Sequence, residues 1–197
     1  TDRLVIMSNG RNAGRKRHTA LMKAVKILSK NHPEVLLYLH CAMFEGFNLG
    51  GHNLRLESIK LDMLDRVVFP RTHYEGNHGE GFDKLTEKYQ ASDLFVNCSS
   101  AEGWGMPSTE AARCGLPVFN TAYSGGWEVT QGFAVPLNPV TFDTHPTGEE
   151  HAIVTPEEIA EKIEWYLAQS KSEKQKRIQR GMEIVGKYTW ATLADAL

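Results

Sequence analysis

Residues 94–120 read LFVNCSSAEGWGMPSTEAARCGLPVFN, and this stretch decides the fold. The apolar run at 94–98 has the length of a buried strand, and a second such run follows at 117–120. Between them, residues 107–114 predict a compact helix, with proline at its first position and Gly115 just past its end. Strand, glycine-containing loop, helix and strand in this order predict a βαβ unit with parallel strands.

The same alternation extends in both directions from this unit. Further apolar runs that predict strands lie at 3–8, 35–40, 66–69 and 134–135. Helical spacing of apolar residues predicts helices at 19–29, 54–64, 82–90, 156–168 and 173–187. The predicted fold class is therefore α/β, with residues 1–197 forming a single Rossmann-like domain around a doubly wound parallel sheet.

The region after the sixth predicted strand is less regular. Residues 137–150 show no periodicity and contain two prolines, so we expect a long surface excursion there. Thr155 then predicts a helix N-cap, with Pro156 in the first turn and Glu158 as its capping-box partner.

The composition excludes several functional classes. The chain has 22 Lys+Arg against 24 Asp+Glu and a net charge of -2, which argues against a broad electrostatic nucleic-acid binder. Any anionic ligand must therefore meet local cations. Three sparse cysteines without metal-type spacing predict a reduced, cytoplasmic chain. We find no transmembrane stretch and no signal peptide, so membrane contact would be peripheral and made through a longer protein.

Two loops follow predicted strands at the edge of the sheet where ligands bind. The first, GRNAGRKR at 10–17, holds four cations before a helix and can neutralise a diphosphate, although a solvated basic turn explains it equally well. The second, 99–110, has two glycines that allow close backbone approach to a ligand. We expect its Glu102 and Glu110 to face one crevice, where their carboxylates suit ribose or sugar hydroxyls.

The second loop and its flanks resemble the donor-binding domain of family 4 retaining glycosyltransferases, which have the GT-B architecture. Glu102 and Glu110 look like the E-x7-E motif of that family, and Gly10-Arg11 with Lys16 looks like its diphosphate-binding element. Other matching segments, in family order, are Asp65-Arg66-Val67-Val68-Phe69, Ala91-Ser92-Asp93, Gly115-x-Pro117-Val118, Gly125-Gly126, Gly132-Phe133-Ala134-Val135-Pro136 and Thr189-Trp190.

The resemblance implies a site for a UDP-, GDP- or ADP-linked sugar. Arg11 and Lys16 would hold the pyrophosphate, Glu102 the sugar hydroxyls and Glu110 the ribose hydroxyls. The donor-binding residues it implies are Gly10, Arg11, Lys16, Pro70, Arg71, Glu102, Gly103, Trp104, Gly105, Met106 and Glu110. Arg11, Lys16 and Glu102 would be the catalytic residues of a front-side displacement with retention, which uses no metal ion and no cofactor.

The chain also departs from the family pattern. Full enzymes of this type have an N-terminal acceptor domain, so we expect this chain to be the donor half of a longer protein or of a two-chain enzyme, with little activity alone. Arg17 replaces the usual glycine after the lysine, and Glu128 follows Gly125-Gly126 one residue early and receives no role.

Two other functional hypotheses stay open. The domain could be a non-catalytic nucleotide-binding or partner-interaction module with the same fold. It could also be another GT-B-like enzyme, an epimerase or a phosphorylase, but the pyridoxal-phosphate lysine motif of a phosphorylase is not found.

Several polar or aromatic residues have simpler interpretations. His145, Glu149, Glu150 and His151 lie in a stretch without helical spacing, so we expect no metal site there. The loop that contains His73 and His78 is interpreted as solvated. Trp104 is interpreted as a packing residue or as part of the cleft wall. The charged face of the basic last helix is interpreted as exposed to solvent.

Overall fold

The computed structural model describes residues 2–45, 50–70, 81–145 and 148–189. Six strands of these ranges form a parallel sheet: β1 (Leu4–Asn9), β2 (Val35–His40), β3 (Val67–Val68), β4 (Leu94–Asn97), β5 (Val118–Thr121) and β6 (Val135–Leu137). Their spatial order is β3-β2-β1-β4-β5-β6, which is the Rossmann order. The predicted fold class is therefore confirmed.

Helices cover both faces of this sheet. They are α1 (His18–Leu28), α2 (Leu54–Lys60), α3 (Phe82–Gln90), α4 (Met106–Arg113), α5 (Ser124–Thr130), α6 (Pro156–Leu167) and α7 (Lys171–Val185). Among the described residues, none of these helices is both long and apolar enough to cross a lipid bilayer.

The two hydrophobic cores explain why the strands read as continuous apolar runs. Ile6 packs into the core formed with α1 and α6, whereas its neighbour Met7 packs into the core formed with α3, α4 and α7. Successive side chains of a strand point to opposite faces, so a sheet covered on both faces needs apolar residues at consecutive positions. The side chains of Ile6 and Met7 are fully buried, and the burial of each contributes about 1.5–3 kcal/mol to the free energy of unfolding.

The strand order places the ligand-binding edge of the sheet. From β1 the chain continues to β2 and β3 on one side of the sheet, whereas from β4 it continues to β5 and β6 on the other side. Because β1 and β4 are hydrogen-bonded neighbours, this reversal of strand order opens a crevice beyond their carboxyl ends. The loops after these two strands are the two that the sequence singles out.

Two helices differ from the sequence prediction. The helix predicted over 54–64 ends at Lys60, because Asp62 adopts a left-handed φ of 52° that a helix cannot continue. Helix α5 was not predicted, since its sequence SGGWEVT contains two glycines and few strong helix formers.

The predicted excursion at 137–150 does lie largely on the surface, but part of it has regular secondary structure. Two antiparallel strands, β7 (Thr141–Thr144) and β8 (Glu150–Ile153), form a separate hairpin. The hairpin is fixed to the domain, since the Ala152 amide donates to the Ser100 carbonyl at 2.9 Å and the Phe142 ring lies edge-on to Tyr123.

The helix caps refine three predicted starts. Thr155 caps α6 as predicted and accepts from the Glu158 amide, but the Glu158 carboxylate accepts from Asn138. A complete capping box instead joins Ser170 and Glu173, so the last helix starts at Lys171 and not at 173. Helix α4 starts at Met106, which makes proline its second residue.

Candidate functional site

The loop after β1 wraps the side chain of Lys16 over the backbone. Gly10 has a φ of 146°, and a Cβ atom there would lie 3.0 Å from Lys16 Cε. A short 3-10 turn, Gly14–Lys16, follows, and Arg17 then adopts a left-handed φ of 56° as the N-cap of α1. The ammonium of Lys16 is thereby directed back toward the carboxyl end of β1.

A buried asparagine fixes this loop against the chain after β2. The Asn12 amide donates to the carbonyls of Ala42 at 3.0 Å and His52 at 2.7 Å, and its Oδ1 accepts from the His52 amide at 3.1 Å. Asn12 is almost fully buried, so these bonds satisfy its polar atoms away from water. No sequence pattern indicates this role of Asn12.

The loop after β4 needs glycine because α5 packs directly onto it. A Cβ atom on Gly125 would overlap the Gly103 carbonyl oxygen, so no other residue fits there. The Glu102 amide donates to Ser124 Oγ at 2.9 Å, and the Gly126 amide donates to the Glu102 carbonyl at 3.3 Å. Gly125 and Gly126 therefore hold the backbone of Glu102 in place.

A buried network of amides supports the start of α4. Asn97 Nδ2 donates to Asn120 Oδ1 at 2.8 Å, and Ser108 Oγ donates to the same oxygen at 3.2 Å. These residues link the ends of β4 and β5 to the first turn of the helix. Gly105 is the N-cap of that helix and has a φ of 78°, the left-handed conformation that glycine favours.

The two loops meet at an ion-pair cluster formed by Lys16, Arg15 and Glu102. Lys16 Nζ lies 2.5 Å from Glu102 Oε1, and Arg15 Nη1 lies 3.1 Å from Glu102 Oε2. The side chains of Lys16 and Glu102 are only 9% and 11% exposed, so water screens this pair weakly. The Ser100 amide also donates to the Arg15 carbonyl at 2.8 Å, which joins the backbones of the loops.

The cluster keeps Glu102 ionised. Burial alone raises the pKa of its carboxyl, but the charge and hydrogen bond of Lys16 and the charge of Arg15 outweigh burial and hold the pKa below its usual value. The carboxylate can therefore act as a hydrogen-bond acceptor at neutral pH.

The other predicted glutamate has neutral partners. Tyr89 donates its hydroxyl to Glu110 Oε2 at 2.8 Å, and Asn9 Nδ2 donates to the same Tyr89 hydroxyl at 2.8 Å. Burial raises the pKa of Tyr89, so its hydroxyl stays a donor. The last residue of β1 is thus linked through α3 to α4, and sequence patterns pointed to neither Asn9 nor Tyr89.

Arg11 belongs to a different ion pair from Lys16. Its Nε lies 2.5 Å from Glu45 Oε1, in the chain after β2, and its side chain is 56% exposed.

His18 is a neutral residue beneath this loop. Burial lowers its pKa to about 4, and its Nε2 lies 3.3 Å from the Arg11 carbonyl oxygen.

The remaining predicted donor-site residues are partly exposed or lie outside the described ranges. Trp104 is about half exposed, and its ring lies edge-on to that of Tyr188 with the ring centroids 5.4 Å apart. Met106 is exposed. Pro70 is half-buried, whereas Arg71, His73, His78 and Trp190 lie outside the described residues.

Two cations of the basic last helix have structural partners. Arg177 donates to the Phe133 carbonyl at 3.1 Å, and Lys174 donates to the Leu167 carbonyl at 2.7 Å. Each also lies over an aromatic ring, Arg177 on Trp165 and Lys174 on Tyr166. These two side chains hold α7 to the domain.

The sheet order and the two loops at its centre define the class of protein. This is the Rossmann-like architecture of the C-terminal domain of GT-B glycosyltransferases. The chain belongs to the family described as "Glycosyl transferases group 1", whose profile matches residues 1–182.

Individual relatives agree with this assignment. A mannosylfructose-phosphate synthase of Agrobacterium fabrum is 28% identical over 134 residues, which is 61% of this chain and 26% of that protein. The C-terminal domain of a group 1 family glycosyl transferase from Francisella tularensis superposes with a TM-score of 0.69 at 17% identity, covering 94% of this chain and 85% of that one. Anabaena HepE, crystallised with UDP-glucose, gives a TM-score of 0.70 at 19% identity, covering 94% of this chain and 44% of that one.

Proposed function

We propose that this chain is the donor-binding domain of a retaining, metal-independent glycosyltransferase that uses a nucleotide sugar. The observation that carries this proposal is the convergence of Lys16 and Arg15, from the loop after β1, on Glu102, from the loop after β4. A paired cation and carboxylate in this crevice suit a ligand with both a diphosphate and hydroxyl groups. The family membership of the chain supports the same activity.

Lys16 is the proposed pyrophosphate anchor. An ammonium group has three N–H donors, and Glu102 accepts one of them, so two donors are available for phosphate oxygens. The ion pair also fixes the direction of the ammonium before the ligand arrives, which lowers the conformational cost of binding. Arg11, which is more exposed, would leave Glu45 to contact the second phosphate.

Glu102 is the proposed acceptor for donor-sugar hydroxyls. A carboxylate has about four lone-pair sites, and the bonds from Lys16 and Arg15 leave acceptor capacity for two hydroxyls. The amides of Gly103 to Met106, at the start of α4, would face the sugar and the phosphates. Phe69, Pro70 and Arg71 would lie against the base.

Glu110 is the proposed ribose partner. The Tyr89 hydroxyl donates to one of its oxygens, which leaves the carboxylate able to accept from the two ribose hydroxyls. Among the described residues, no cation forms an ion pair with Glu110, so a neutral sugar need not displace one there.

The proposed reaction is a front-side displacement at the anomeric carbon. The bond from that carbon to the diphosphate oxygen breaks, and its electron pair stays on the nucleoside diphosphate. The acceptor hydroxyl forms the new bond on the same face and gives its proton to the departing phosphate oxygen, so the configuration is retained. Lys16 and Arg11 stabilise the negative charge that develops on the diphosphate.

The acceptor would be bound elsewhere. The chain spans 26% of the Agrobacterium relative and 44% of Anabaena HepE. We propose that an N-terminal acceptor domain or a partner chain completes the cleft, and that this chain alone binds donors weakly and transfers little sugar. A cytoplasmic location, where nucleotide sugars and reduced cysteines occur together, belongs to the same proposal.

Calorimetric titration of the 197-residue chain with UDP, GDP and ADP tests the proposal. We expect one of them to bind at a single site and Lys16→Ala to abolish the heat, while Lys176→Ala, which removes an exposed cation of α7, leaves it unchanged. The absence of binding to all three by folded protein contradicts the proposal. Binding that survives Lys16→Ala also contradicts it.

A further inference from the structure

The hairpin of β7 and β8 gathers two histidines and a glutamate on one face. The His145 amide donates to the Glu149 carbonyl at 2.8 Å, so these two residues lie opposite each other across the hairpin. Glu149 directly precedes β8 and is two positions from His151, so with the chain extended there the two side chains share a face. Cross-strand neighbours on one face are close enough to contact.

The side-chain atoms confirm this convergence. Glu149 Oε1 lies 3.8 Å from His145 Nδ1 and 3.9 Å from His151 Nε2. One ligand atom from each of the three residues lies within 4.8 Å of the others, and the two imidazole rings are stacked with their centroids 4.6 Å apart. Asp143, paired with His151 in the register, adds another carboxylate to the same face.

We infer that this face is a binding site for a divalent transition-metal ion, with zinc as the best match. Two imidazole nitrogens and one carboxylate oxygen are a ligand set that zinc prefers, with water as the fourth ligand. Ligand atoms about 2.0 Å from a tetrahedral zinc ion lie about 3.3 Å from each other. The two separations between the Glu149 carboxylate and the imidazoles therefore need to close by about half an ångström, and the two imidazole nitrogens, which lie within 4.8 Å of each other, by at most about 1.5 Å.

The regular hairpin removes the reason for expecting no metal here. Without periodicity, the four polar residues of this segment have no defined spacing. The antiparallel register places His151 opposite Asp143, and the hydrogen bond between His145 and Glu149 continues it by one pair, which gives His145, Glu149 and His151 a common face. The fourth, Glu150, is on the opposite face of β8 and lies outside the site.

A bound ion would fix the hairpin as a structural clip. The Ala152 amide of β8 donates to the carbonyl of Ser100, which lies in the loop that carries Glu102. The ion would join the two strands near their turn, while the Ser100 bond holds the other end of β8 to the domain. The metal would then act on the hairpin and not on the sugar-transfer chemistry.

Calorimetry of the chelator-treated, untagged 197-residue chain with zinc chloride tests the site. We expect one zinc ion per chain, an affinity at least tenfold weaker in His145→Ala and in His151→Ala, and severalfold weaker in Glu149→Gln. Glu150→Gln is the matched control, because it neutralises the adjacent carboxylate on the opposite face, and we expect no change. Circular dichroism checks that each variant is folded.

Cobalt(II) provides a second readout on the unaltered protein. Three protein ligands and one water predict the intense visible absorption of a four-coordinate cobalt ion, and added zinc should remove it. The site is contradicted if zinc produces no heat, if the three variants bind zinc as the unaltered chain does, or if cobalt shows only the weak absorption of the hydrated ion.

Discussion

Glu102 and Glu110 belong to one short segment, yet the fold gives them opposite surroundings. Glu102 lies between Lys16 and Arg15, and these cations hold its pKa low despite its burial. Glu110 accepts from Tyr89, which in turn accepts from Asn9, so its partners are neutral. This difference matches the proposed site, in which a charged group would meet the diphosphate and neutral hydrogen bonds would surround the ribose.

The largest expected effect comes from removing Lys16, the buried cation that is paired with Glu102. Lys16→Ala leaves the buried Glu102 carboxylate with only the more exposed Arg15, and we expect it to lower the free energy of unfolding by about 3 kcal/mol. Binding of a nucleoside diphosphate should weaken by roughly a hundredfold. Urea denaturation and calorimetry measure the two effects.

The double variant Lys16→Ala/Glu102→Gln separates these two effects. Neutralising Glu102 removes the unpaired buried charge, so stability should recover by more than half while diphosphate binding stays lost. Recovery of binding in the double variant would show that Lys16 does not contact the ligand.

Arg11→Ala tests the second proposed diphosphate cation. We expect a roughly tenfold or greater loss of nucleoside diphosphate affinity and little change for the bare nucleoside, since the nucleoside has no charge to neutralise. Stability should change by less than about 1 kcal/mol, because the pair with Glu45 is exposed on the arginine side. Equal losses for both ligands would contradict the assigned role.

Glu110→Ala should give the complementary pattern. We expect affinities for the nucleoside and for its diphosphate to fall by the same factor, roughly tenfold, because both ligands contain the ribose. A loss of affinity confined to the diphosphate would mean that Glu110 acts on the phosphate groups. The proposed difference between the two glutamates would then be wrong.

Tyr89→Phe produces a smaller effect through Glu110. The change keeps the buried ring and removes one hydroxyl, so nucleoside affinity should fall about threefold and stability by about 1 kcal/mol. Tyr166→Phe is the matched control, since Tyr166 is also a buried tyrosine but lies in α6, and it should leave nucleoside affinity unchanged. Equal affinities for the two variants would exclude a positioning role for Tyr89.

The pH dependence of stability gives the smallest expected effect. The pKa of Glu102 is lower in the folded protein than its unfolded value of about 4.3, so the stabilisation is fully present above that pH and is lost as pH falls through the folded pKa. Glu102→Gln should therefore lose less stability on acidification than the unaltered chain. Parallel curves would show that the ion pair contributes nothing.

The sequence predicts the sheet and its edge well, because both depend on local patterns. Continuous apolar runs indicate strands covered on two faces, and Pro107 and Gly115 mark the ends of α4 within a residue. The sequence places both loops at the ligand-binding edge of the sheet, and the structure adds that Lys16 of the first contacts Glu102 of the second.

What the sequence did not reveal depends on long-range contacts. Tyr89 and Asn9 are 80 positions apart, and their hydrogen bond forms only when α3 packs on the sheet. Helix α5 contains Gly125 because its first turn packs against the Gly103 carbonyl, a tertiary requirement that overrides low helix propensity. The hairpin of β7 and β8 lacked a short-turn signature, so its register and its histidine face stayed hidden.

The most direct test of the central proposal is a chemical-shift titration. Amide resonances of the ¹⁵N-labelled chain should be followed while UDP-glucose, GDP-mannose and ADP-glucose are added separately. We predict that one donor shifts the amides of the two loops, Gly10 to Lys16 and Gly103 to Met106, together with Glu110, and leaves α6 unchanged. Shifts confined to other parts of the domain, or none with any donor, would contradict the proposed donor site.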